Sequence, residues 1–145
     1  MAKHISNMNQ LQAALMPTMV KMVDELAERV YETLNYFLQE YYNSYDSKSY
    51  RRQYDFLRSA VKVEPVIKGN KVTASVYIDT ESMDNYYNAT GYQVAQWANN
   101  GLHGGLAVSH KPHVWDDTLD NTINNGSLLQ LAIQYLRSQG ISVRT

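Results

Sequence analysis

Between Met19 and Tyr41 the apolar side chains return every three or four residues. Met19, Met22, Val23, Leu26, Val30, Leu34, Phe37, Leu38 and Tyr41 make up the series, and Asp24, Glu25, Glu28 and Glu32 lie on the opposite side. That is the period of one amphipathic helix. It predicts a helix over residues 18–43 that begins at Pro17 and Thr18, and the pattern from Leu11 to Leu15 leaves an earlier start open. About 26 helical residues span roughly 40 Å at 1.5 Å per residue. A chain of 145 residues must build the rest of its core against that rod, and part of the stripe is left over for a partner surface.

The next constraint is a hairpin. Val61 to Lys68 and Lys71 to Ile78 flank Gly69-Asn70, a good two-residue turn. A two-residue loop fixes the register and pairs Ile67 with Val72, Pro65 with Ala74, Val63 with Val76 and Val61 with Ile78. All eight are apolar and share one face. The other face pairs Val66 with Thr73, Glu64 with Ser75 and Lys62 with Tyr77. Pro65 cannot donate to a ladder, which makes the first strand an edge or turns its bare position outward.

Downstream, Val94, Trp97 and Ala98 give helical spacing within Gly91–Gly101, and Trp115, Leu119 and Ile123 mark a short helix. Ser127-Leu128-Leu129-Gln130 has the form of a capping box opening a last helix, with Leu128, Leu131, Ala132, Tyr135 and Leu136 as its apolar face. Gly140 ends it, and Ile141-Ser142-Val143 is expected to close the sheet as a terminal strand. Residues 101–114 hold three glycines, three histidines and a proline and read as a long irregular loop. The predicted fold is α+β: a long N-terminal helix and a C-terminal helix packed on a small antiparallel sheet built around a β-hairpin. It is one domain, 1–145.

Composition narrows the function. The net charge is −1 and cysteine is absent, which excludes disulfides, thiol catalysis and thiolate metal sites and gives no electrostatic footprint for a polyanion. No apolar run nears the roughly 18 residues of a membrane span, and Met1–Ser6 lacks the apolar region of a secretory signal. Tyrosine is unusual at 12 residues against two Phe and two Trp, and seven of the 12 fall between residues 31 and 54. A polar-tipped aromatic suits either a core rim or an interface.

Three clusters carry candidate chemistry. His110-x-x-His113, with His103 upstream and Asp116 and Asp117 nearby, holds metal-ligand side chains and would serve a small metal-dependent hydrolase. Pro112 between the two histidines and the lack of a second cluster weigh against it. Asp79-x-Glu81-x-x-Asp84 lacks the alternating acids and central glycine of a calcium loop. Arg51, Arg52 and Arg58, interleaved with Tyr50, Tyr54 and Phe56, could follow a nucleic-acid backbone as a binding module, but Asp46 and Asp55 offset them. No glycine-rich phosphate loop or nucleophile elbow is present. The expectation is a protein that is not an enzyme and needs no cofactor or metal.

The order of parts resembles the small neck and tail-completion proteins of tailed bacteriophages, the head–tail joining or minor tail component family. Tyr50, Arg52, Leu57 and Ser59 stand where that family's first motif lies, and Tyr92, Ala95 and Gly101 stand near the second. Tyr54-Asp55 replaces the usual Thr-Gly, Asn99 or Asn100 replaces an acid, and His113-Val114-Trp115 occupies the region of a missing Pro-Phe pair. The resemblance implies a virion protein, assembled in the host cytoplasm, that joins head connector to tail or completes the tail without catalysis. Its partners would be copies of itself, often six in a ring, and neighbouring connector or tail-tube proteins, with DNA only as passing genome. Tyr50, Arg52, Tyr54, Leu102, His103, Leu106, Val108, His110 and Trp115 are the expected contact residues.

Overall fold

The computed structural model describes residues 5–43, 56–81, 90–100, 102–103, 106–107 and 113–144. In chain order these form α1 (Met8–Asn43), β1 (Ala60–Lys68), β2 (Lys71–Ile78), α2 (Gly91–Asn99), β3 (Leu102–His103), β4 (Leu106–Ala107), α3 (Val114–Asp120) and α4 (Ser127–Ser138). The class is α+β, with the long N-terminal helix and the hairpin as expected.

Helix α1 begins ten residues before the predicted start and runs straight through Pro17. The apolar stripe explains this, because Met8, Leu11 and Leu15 continue the same spacing upstream. The start is also capped. Asn7 Oδ1 accepts the Gln10 N–H at 2.9 Å, and Gln10 Oε1 accepts the Ser6 N–H at 2.8 Å. Pro17 removes only the donor that would have met the Ala13 carbonyl, and it sits exposed. The helix has 36 residues, about 54 Å at 1.5 Å per residue.

The core gathers at the C-terminal half of α1. Leu34, Leu38, Tyr41 and Tyr42 are buried there together with Phe56, Ala60, Ala98 and Val114, so hairpin, α2 and α3 all converge on one stretch of helix. Tyr41 meets Phe56 edge-on, with ring centroids 5.7 Å apart, and Tyr42 lies nearly parallel to Phe56. Tyr42 Oη accepts the Leu57 N–H. Part of the tyrosine excess is therefore core. Ser59 is buried, and its hydroxyl donates to the Phe56 carbonyl at 2.6 Å, which turns the chain into β1.

The hairpin has the expected strands and turn, with Gly69 at φ +62, but the expected register holds only next to the turn. Ile67↔Val72 and Val66↔Thr73 hold, and then a bulge between Val63 and Val66 shifts the rest, giving Val63↔Ser75, Lys62↔Val76, Val61↔Tyr77 and Ala60↔Ile78. One extra residue on β1 around Pro65 causes the slip, since proline leaves the ladder a donor short. The slip exchanges the faces. Ala60 and Lys62 now share the inner face with Val76 and Ile78, and Val61 and Val63 turn outward with Tyr77.

Two C-terminal expectations are corrected. Ser127 is not a capping residue. Gly126 holds the N-cap position at φ 79 without a side-chain cap, and Asn125 Oδ1 takes the Ser127 N–H instead. A left-handed glycine turns the chain too sharply for Ser127 to stay outside the helix. Residues 141–143 form no strand. Gly140 at φ 81 closes α4 with paired bonds, Gly140 N–H to the Arg137 carbonyl and Ile141 N–H to the Leu136 carbonyl. This is a Schellman closure, and beyond it Arg137 Nη2 donates to the Val143 carbonyl.

Replacing Leu38 with Ala removes a fully buried side chain from the point where the elements meet. It is expected to lower unfolding stability by about 2–5 kcal/mol, read in urea titration as a lower midpoint at unchanged slope.

Candidate interaction surface

Two polar devices fix the surroundings of the core. The first comes from the bulge. Lys62, turned inward on β1, reaches α1 and meets Asp24 Oδ1 at 2.6 Å and Glu28 Oε2 at 3.0 Å. The two carboxylates are one helical turn apart and so present a single anionic notch. Hydrogen bonding to Asp24, then to Glu28, holds the Lys62 ammonium well above the usual lysine range. The ammonium is largely covered and both acids are about half exposed.

The second is Asn99, the last residue of α2. Its Oδ1 accepts the N–H groups of Trp115 at 3.0 Å and Asp116 at 2.8 Å, the second and third residues of α3. A side chain from one helix thus caps the next. The Asn99 carbonyl also takes His113 Nδ1 at 2.8 Å, which requires the proton on that nitrogen. Asp117 Oδ2 accepts the His113 N–H at 2.9 Å. Thr118 in α3 and Thr122 in the turn after it are fully buried and return their hydroxyls to the Val114 and Thr118 carbonyls. They pack among the apolar side chains with no polar atom unpaired.

The expected contact residues divide. Tyr50, Arg52, Tyr54, Val108 and His110 lie outside the described residues, as does Arg51. Leu102, His103 and Leu106 belong to the short antiparallel pair β3–β4, in register Leu102↔Ala107 and His103↔Leu106. Trp115 is half-buried against the core, and Arg58 is exposed. His113 serves the α2–α3 junction. Among the described residues no three His, Asp or Glu side chains stand together as a metal site, and no helix is long and apolar enough to cross a membrane.

The accessible features are surfaces. The outer face of the hairpin carries Val63, Val66 and Tyr77, exposed at 39%, 46% and 44%, and Ile67, on the opposite face near the turn, is 53% exposed. A hairpin with one solvated face normally alternates apolar and polar; this one has apolar residues on both faces. Between α1 and the end of α3 runs an open groove of about 280 Å³ lined by Arg29, Glu32, Thr33, Tyr36, Phe37 and Asn121. Tyr36 is 58% exposed and stands edge-on to Phe37. In the sequence reading Asn99, Lys62 and Tyr36 carry no such role. Lys62 alone has a usable signal, since a proline in mid-strand is compatible with a bulge that turns its neighbours over.

Fold and surfaces together define a small helix-and-hairpin α+β domain. The chain belongs to the YomN family, whose family model matches residues 7–138. That family is phage-derived, of the Bacillus prophage type, and the membership points to a phage protein. No curated protein and no solved structure matches the chain.

Asn99→Ala leaves two α3 N–H groups without an acceptor. It is expected to cost about 1–2 kcal/mol of stability, with Asn99→Asp recovering most of the loss, both measured by chemical denaturation. For Lys62 the raised folded pKa sets the sign. Its contribution is complete below the ordinary lysine value near ~10.4 and is lost only as pH climbs through the higher folded value. The Tm advantage of wild type over Lys62→Met should therefore stay level from pH 7 to about 10 and shrink above it.

Proposed function

We propose that the chain is a structural virion component of a tailed bacteriophage, working by protein–protein assembly at the head–tail junction or the tail end rather than by catalysis. The observation that carries this reading is the hairpin with apolar residues on both faces. The inner face is used against α1, and the outer row of Val63, Val66 and Tyr77 is exposed. Contiguous exposed apolar surface marks an interaction site. Membership of a phage-derived family supports a virion setting, and the resemblance in the order of parts supports the junction.

In this reading the protein assembles in the host cytoplasm and ends in the virion. Its partners are further copies of itself in a closed ring, often of six, and the connector or tail-tube proteins on either side. Genomic DNA passes through without being read. It needs no cofactor.

The reading predicts self-association. Light scattering behind size exclusion over a range of concentrations should give a defined oligomer larger than a dimer. A monomer at every concentration would remove the ring.

A further inference from the structure

Resting on that self-association, we propose that neighbouring copies join head to tail, the hairpin tip of one seating in the α1–α3 groove of the next.

The tip has the form of an inserting arm. Every residue from Val66 to Lys71 is exposed. Lys68 and Lys71 sit directly opposite each other across the turn, a like-charge pairing that is unfavourable by itself. Among the described residues the ion pairs use Lys62 alone, and neither tip lysine meets a carboxylate there. Beside them Ile67 offers an exposed apolar side chain.

The groove has the complementary character. Its floor is aromatic, Tyr36 against Phe37. The lining itself is balanced, Glu32 against Arg29; Glu25 and Glu40 are exposed one turn to either side on the same flank of α1, and Asp120 precedes Asn121. Its volume, about 280 Å³, falls just under the roughly 300–1,000 Å³ of small-molecule sites. That suits one or two inserted side chains. A cationic tip carrying one isoleucine meets an aromatic groove that is flanked by carboxylates.

The tip of a chain is held away from that chain's own groove. Lys62 anchors the hairpin on the side of α1 that bears Asp24 and Glu28. At about 100° per residue the groove residues of α1 lie about a third of a turn round the helix from there. The tip stands six residues beyond the anchor, roughly 20 Å along the strand. Two different complementary patches on one chain make a heterologous contact, which closes into a ring or grows as a filament.

Two variants test this. Ile67→Asp with Lys71→Glu disables the tip and gives Lys68 a cross-strand partner, so the hairpin keeps its fold. Tyr36→Ala with Glu32→Lys disables the groove at exposed or half-exposed positions. Each variant alone should keep the wild-type Tm and weaken self-association about thirtyfold or more. Mixed together, they should give a heterodimer and nothing larger, because only one good contact remains. A tip variant that still assembles like wild type, or a mixture that stays monomeric, overturns the head-to-tail contact and leaves the assembly reading standing. A wild-type chain that never associates overturns both.

Discussion

Leu34 and Leu38 lie one turn apart on α1, both fully shielded from solvent, and the hairpin, α2 and α3 reach the core through the cluster around them. One helix thus supplies half of the principal buried cluster, and the other elements supply one or two side chains each: Phe56 and Ala60 from the approach to the hairpin, Ala98 from α2 and Val114 from α3. None of the shorter elements could persist alone. A two-stranded hairpin is marginal in water, and helices of nine and seven residues fall below the length at which isolated helices form. Their order is borrowed from the apolar stripe of α1, which is why burial there outweighs any single polar contact elsewhere.

Burial by itself is non-directional. It holds the elements together but leaves their angles free, and the two polar devices supply direction. The Asn99 cap sets α3 against α2, because an amide oxygen must lie on the axis of the N–H groups it accepts. The Lys62 contact sets the hairpin along α1, because a lysine on the inner face would otherwise bury charge unpaired. The devices differ in kind. The cap is neutral and indifferent to salt, whereas the ion pair has half-exposed carboxylates and is open to screening.

The parts legible in the sequence were those governed by local rules. Period gave α1 and its face, Gly69-Asn70 gave the turn, and Gly140 gave the end of α4. The misplaced parts were those decided by a competition between local rules. Pro65 and the two-residue turn each dictate a register, and the bulge satisfies both by exchanging the faces of residues 60–63. Ser127 and Gly126 compete for one cap, and the left-handed glycine wins. Pro17 has the look of a helix start, yet the stripe upstream and the Asn7 cap carry the helix past it. The candidate surface was less legible still. Asn99 acts across 16 and 17 residues of chain on Trp115 and Asp116, and no periodicity marks such a pair. The histidines drew attention for their chemistry, and the one whose side chain is described, His113, holds a helix junction.

The same anchoring bears on the proposed assembly. In a head-to-tail contact, the rotation between successive copies is the angle between the inserting arm and the receiving groove on one chain. Both features are referred to α1: the groove is built on its flank, and the arm leaves from the Lys62 clamp on another side. A rigid helix with a fixed clamp therefore makes that angle a property of the monomer fold. Closure into a ring of one size requires a single well-defined angle, since scatter in it would give mixed rings and open chains. The bulge at Pro65 then has a structural purpose beyond accommodating a proline. It turns Lys62 inward to its carboxylates and in the same step turns Val61 and Val63 outward, so that fixing the arm and exposing its apolar face are one event.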